Sequence, residues 1–161
     1  MRSLMTASTT KAEHIVLITQ QLADERPGFF AIKGAGAGDR DTNAFMVELR
    51  RRAVAALATD YSERSICGSN KLTVDFYIPD ERTVIEVALS LRNPGSEFER
   101  DILKALMAAE AGNAVDTLLL ISKPGGRKRT DQPGARAIID WVQAQHGLRV
   151  IVHDLVAAHA A

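Results

Sequence analysis

Only one cysteine, Cys67, occurs in the 161 residues. That excludes an internal disulfide and any zinc cage built on several thiolates. Neither sign of charge is in excess, because 20 Lys and Arg balance 20 Asp and Glu. A polycation that holds nucleic acid through bulk charge is therefore excluded, and any such contact has to come from a local patch. No apolar run approaches the roughly 20 residues needed to cross a bilayer. The first one, Ile15-Val16-Leu17-Ile18, is too short for the apolar region of a secretory signal. His14, His146, His153 and His159 are scattered and show no metal-ligand spacing. There is no internal repeat and no interdomain linker. The chain is 46% hydrophobic and 25% charged, enough to build a core. A soluble, cytoplasmic protein with no membrane partner is expected, folded as a single domain over residues 1–161, with residues 1–10 frayed.

Lys11 to Ala23 reads as a helix, closed by Asp24 to Gly28. Phe29 to Ile32 is a brief apolar run suited to a strand, and Gly34, Gly36 and Gly38 make a flexible break. Asp41 or Thr42 can cap a helix running to about Ala58, in which Phe45, Leu49, Ala53, Ala56 and Leu57 recur at helical spacing. Leu72, Val74, Phe76 and Ile78 then alternate with Lys71, Thr73, Asp75 and Tyr77, the pattern of a half-buried strand. After turn material at Pro79 to Arg82, Ile85, Val87, Leu89 and Leu91 alternate with Val84, Glu86, Ala88 and Ser90. Ser96 and Glu99 fit a capping box for a helix with the stripe Phe98, Ile102, Ala105, Leu106 and Ala109, stopped at Gly112. Val115 to Ser122 reads as a strand buried on both faces, Lys123 to Gly134 as a basic loop, and a helix to about His146 precedes a last strand, Leu148 to Val152. The expected fold class is α/β: a central mixed sheet with an antiparallel hairpin, flanked by helices.

The hairpin carries the chemistry. Whether its loop has two residues or four, the register is the same. Val74 faces Val87, Phe76 faces Ile85 and Leu72 faces Leu89, which gathers the apolar set on one side. On the other side Asp75 falls opposite Glu86, with β-carbons about 4.5–5.5 Å apart. Two like charges opposed across a ladder destabilise it, so a cation, a shifted pKa or a basic neighbour should offset them. A hard cation such as magnesium suits two carboxylates; simple solvation of both on an exposed face is the plainer alternative.

An acid on one strand, an acid on the adjoining strand, then a helix and a buried strand resembles the PD-(D/E)xK nuclease superfamily, the fold of many type II restriction endonucleases. The resemblance spans residues 42–122. It implies that Asp75 and Glu86 bind Mg2+ or Mn2+, helped by the backbone carbonyl of Val87, for hydrolysis of DNA phosphodiester bonds. It also places Glu48, on the first core helix, as a possible additional ligand, although Arg52 at i+4 equally suits a surface ion pair. The sequence departs from the family at two positions. Val74 stands where the motif name has proline, and Ala88 stands in the lysine slot. Pro79-Asp80 is a literal "PD" but belongs to the turn. Lys71, on the Asp75 face and diagonal to Ala88, is the first candidate to replace the lysine; Lys104 on the following helix is the second. The strand expected before Lys71 is indistinct, with Ser65-Ile66-Cys67 the best match.

Lys123, Arg127, Lys128 and Arg129 form the local basic patch that could meet DNA phosphates. Cutting both strands of a symmetric site would call for a two-fold homodimer. Two other readings remain. Ala88 suggests a catalytically inactive nuclease-like module serving in DNA binding or protein assembly. The Gly34–Gly38 segment suggests a nucleotide loop, although its spacing fails the GxGxxG pattern at Asp39.

Overall fold

The structure, a computed structural model, describes residues 8–26, 28–31, 37–89 and 97–157. Helix α1 (Lys11–Asp24) opens on a capping box in which the Thr10 hydroxyl accepts from the Glu13 amide and the Glu13 carboxylate accepts from the Thr10 amide. Thr10 is thus a fixed cap rather than part of a frayed end; residues 1–7 lie outside the described residues. The Phe29–Ala31 run is a 3-10 turn and not a strand. Its amides are satisfied locally, with Phe29 donating to Arg26 and Ala31 to Gly28, so the segment needs no sheet partner. Phe29 stacks instead on Phe45, ring centroids 4.4 Å apart. Helix α2 (Ala37–Leu57) starts ahead of Asp41 and Thr42, which lie within it rather than cap it. Gly34 and Gly36 fall outside the described residues, as do Ser90, Leu91 and Ser96.

Five strands follow: β1 (Ser62–Arg64), β2 (Val74–Ile78), β3 (Thr83–Ala88), β4 (Thr117–Ser122) and β5 (Arg149–Asp154), side by side in chain order. The β1–β2 and β2–β3 pairs are antiparallel, and β3–β4 and β4–β5 are parallel. The mixed sheet agrees with expectation, and so does the hairpin register at its turn end, where Phe76 pairs with Ile85 and Ile78 with Thr83, leaving the four-residue loop Pro79–Arg82. The expected single apolar side does not extend further, because Val74 and Leu72 pack with Tyr77 on the face opposite Phe76, Val87 and Leu89. The short strand β1 lies just upstream of Ser65-Ile66-Cys67. Helix α3 (Glu99–Glu110) ends before Gly112, whose φ of 96° is the left-handed stop that a side chain would strain.

The sheet is covered on both faces. Phe76, Ile78, Ile85, Leu119 and Ile121 pack under α1 and α2. Tyr77, Val84, Ala88, Leu118 and Leu120 pack under α3 and α5 (Pro133–His146) on the other side. This changes one expectation: the hairpin is not half-buried, because the face that carries Asp75 and Glu86 also carries Tyr77, Val84 and Ala88, and those side chains draw α3 down onto it.

The segment expected as a basic loop contains a short helix, α4 (Gly126–Thr130). The Asp154 carboxylate accepts from the Arg127 amide, and the Thr130 hydroxyl donates to the Gly126 carbonyl. Gly126 is required by closeness: a β-carbon there would overlap the Ser122 hydroxyl and lie 2.6 Å from Ser122 Cβ and 2.9 Å from Asp154 Oδ1. Gly126→Ala should therefore push α4 off the sheet and cost about 1–3 kcal/mol, the usual penalty for overpacking, read from the urea midpoint.

Candidate active site

The site is built where α3 crosses the hairpin. Its buried face is Asp101, Ile102, Lys104, Ala105 and Ala108, rotated from the stripe through Leu106 and Ala109 that apolar spacing alone picks out. Phe98, Ile102 and Ala105 seat the helix on the sheet and carry Asp101 and Lys104 down with them. The Lys104 ammonium lies 2.7 Å from Glu86 Oε1, 3.2 Å from Asp101 Oδ1 and 3.1 Å from the Thr73 carbonyl, to which it donates. The Glu86 contact is ionic rather than a well-directed hydrogen bond, and Oε1 receives no directed bond from any other donor. Asp75 Oδ2 accepts from the Val87 amide at 2.8 Å. That bond continues the β2–β3 ladder past the Phe76–Ile85 pair through a side chain.

Electrostatics follow from burial. Glu86 is only 4% exposed. Its carboxyl is pushed up to about 9 by that burial and then by the charges of Asp75 and Asp101, with Lys104 offsetting part of the rise. Burial also raises Asp101, to about 6, against the pull of Lys104. Desolvation lowers the Lys104 ammonium, but Glu86 and Asp101 more than compensate and leave it raised. Two carboxyls, Glu86 and Asp101, thus share one ammonium, and both feel the charge of Asp75, in a place where water does little screening. Both carboxyls are ionised together only if a further cation joins the ammonium; otherwise one of them holds a proton.

Other sequence-derived candidates lie elsewhere. Lys71 is exposed and precedes β2; Lys104 is the amine that meets Glu86. Glu48 sits on α2, under the opposite face of the sheet, where Arg51 and Arg52 each donate to it and hold its carboxyl down at about 2. Arg52 also reaches Glu25 at 2.6 Å, so Glu48 belongs to a surface ion-pair network. Val87 is half-buried, its amide given to Asp75. Ala88 is buried on the Glu86 face, so the lysine slot is filled by a methyl. Lys123 lies with its ammonium 5.1 Å from the Phe29 ring centroid, and Arg127, Lys128 and Arg129 are exposed on α4, past the ends of β4 and β5.

Comparison with known protein families, curated proteins and solved structures finds no match to this chain. The site has to be read from its own geometry. Among the described residues no three His, Cys, Asp or Glu side chains are grouped as a ready-made metal cage, and no helix is long and apolar enough to cross a membrane. An open groove of about 990 Å³ lies between α1 and β5, lined in part by Val16, Leu17, Leu119 and Ile151. It is on the α1 face and contains none of the three acids.

Asp101 and Lys104 are the residues that apolar spacing missed or ranked second. The available signal was their i, i+3 separation beside Ile102 and Ala105, an ion-pair spacing set against a buried stripe.

Proposed function

We propose that this protein is a magnesium-dependent nuclease with a restriction endonuclease-like core that hydrolyses DNA phosphodiester bonds. The observation that carries the reading is Lys104 Nζ at 2.7 Å from Glu86 Oε1: the amine absent from the strand at Ala88 arrives from α3 at the same carboxylate. The surplus of carboxyl over ammonium, with Glu86 Oε1 lacking a directed donor, fits residues able to take up a hard cation. Asp75 and Glu86 would hold it, with the Val87 carbonyl added by the resemblance. Magnesium there would supply Lewis-acid activation of water and neutralise charge on the phosphate. Lys104 would present its ammonium to the scissile phosphate or orient the water, acting in place of Lys71. Arg127 and Lys128, exposed beyond the ends of β4 and β5, would meet flanking phosphates.

The test is supercoiled-plasmid cleavage with and without chelator, paired with calorimetric titration of Mn2+. Wild-type protein should nick DNA only when metal is present, and Asp75→Asn should lose both cleavage and most metal affinity while remaining folded. A second reading, an inactive module serving in DNA binding or assembly, is favoured by the burial of Glu86 beneath α3. Absence of both metal binding and cleavage in the wild type would select it.

A further inference from the structure

We propose that Asp101 is a positioning residue that holds the Lys104 ammonium in place when Glu86 turns away from it. The inference rests on the nuclease reading for its catalytic consequence, but its geometric core does not. Lys104 has three partners: Glu86 at 2.7 Å, the Thr73 carbonyl at 3.1 Å and Asp101 at 3.2 Å. Of these, Glu86 is the one that a bound cation would claim. Without Asp101 the ammonium would keep one neutral carbonyl and the carboxylate it is supposed to release, so it would either stay on Glu86 and compete with the metal or swing out of the site. With Asp101 three residues back on the same helix, a charged partner survives the exchange. The side chains of Asp101 and Lys104 are each only 11% exposed, so water cannot replace that partner cheaply.

The ammonium can be followed directly by its 1H–15N cross-peak, which survives only while the group is held and shielded from exchange. In Glu86→Gln, where the side chain offers the amine no negative charge at any pH, the Lys104 cross-peak should persist. In Glu86→Gln combined with Asp101→Asn it should vanish while the backbone amide spectrum is unchanged; Asp101→Ser serves in place of Asn if that protein misfolds. Persistence of the cross-peak in the double variant would overturn the proposal, whether or not the protein cuts DNA. In the catalytic arm, Asp101→Asn alone should lower kcat for cleavage 10- to 100-fold with KM for DNA changed less than threefold, and Asp101→Glu should recover part of the loss. Wild-type turnover in Asp101→Asn overturns the catalytic part. Absence of cleavage in the wild type would sink the nuclease reading and leave the cross-peak result to decide whether Asp101 holds the amine.

Discussion

Lys104→Met should lower the melting temperature by on the order of 10 °C at pH 8, and by less than half as much at pH 5. The variant keeps an apolar stem of similar length but removes the cation that meets Glu86 and Asp101. Removing one partner of a buried pair costs about 3–5 kcal/mol, because the remaining charge cannot be hydrated. In a chain of this size each kcal/mol corresponds to roughly 2–4 °C. The pH dependence follows from the direction of the shifts. The Lys104 ammonium is raised in the fold, so its stabilisation is present at every pH below its ordinary range and is lost only as pH rises beyond it. The acids it serves are raised as well. At pH 5 they can answer the loss by taking up protons, and at pH 8 only at greater cost. Calorimetric melting of both proteins across this range checks the claim. An equal deficit at both pH values would mean that Lys104 contributes through its stem alone. On the proposed nuclease reading, cleavage by the variant should fall by at least about 100-fold, the usual effect of losing one charged group that stabilises a transition state.

The hairpin was readable because three constraints coincide in it. Phe76 and Ile85 have to share the α1 face, Ile78 has to pair with Thr83, and Pro79–Arg82 is long enough for only one register. Strand β4 was readable for a similar reason, since Leu118 to Ile121 has no polar side to offer water. The burial of the acid face was harder to see. Tyr77, Val84 and Ala88 carry the information, but alternation with Asp75 and Glu86 disguises an apolar face as a polar one. Placement of α3 cannot be had from its own periodicity either. Leu106 and Ala109 are as apolar as Ala105 and Ala108, and only the docked helix shows that Asp101 and Lys104 turn inward. The short helix α4 was hidden by Gly125-Gly126, a pair that reads as a flexible break until the contact of Gly126 with Ser122 and Asp154 explains the missing side chain. Strand β1 is three residues long and pairs on one edge only, too little pattern for periodicity to register.

Glu86→Gln is expected to yield a protein that melts higher than the wild type at pH 9 and, on the proposed nuclease reading, does not cut DNA. Glutamine copies the shape of a protonated carboxyl and cannot ionise. In the wild type the folded carboxyl is held up to about 9 by burial and by Asp75 and Asp101, whereas the unfolded one ionises near its ordinary 4.5. The raised group therefore contributes fully below about pH 4.5, and its contribution drains away as pH rises through about 9. Each unit of difference is worth about 1.4 kcal/mol, so an advantage of a few kcal/mol should open for the variant across that window. At pH 5 the two proteins should melt within about 2 °C of each other, and by pH 9 the variant should lead by roughly 5–10 °C. Lys104 does not reverse the sign, since Asp101 and the Thr73 carbonyl still hold it. Greater stability with loss of cleavage is the mark of a residue kept for function at a cost to the fold. A variant less stable than the wild type at every pH would instead make Glu86 a structural partner of Lys104, and the buried acids a means of fastening α3 to the sheet.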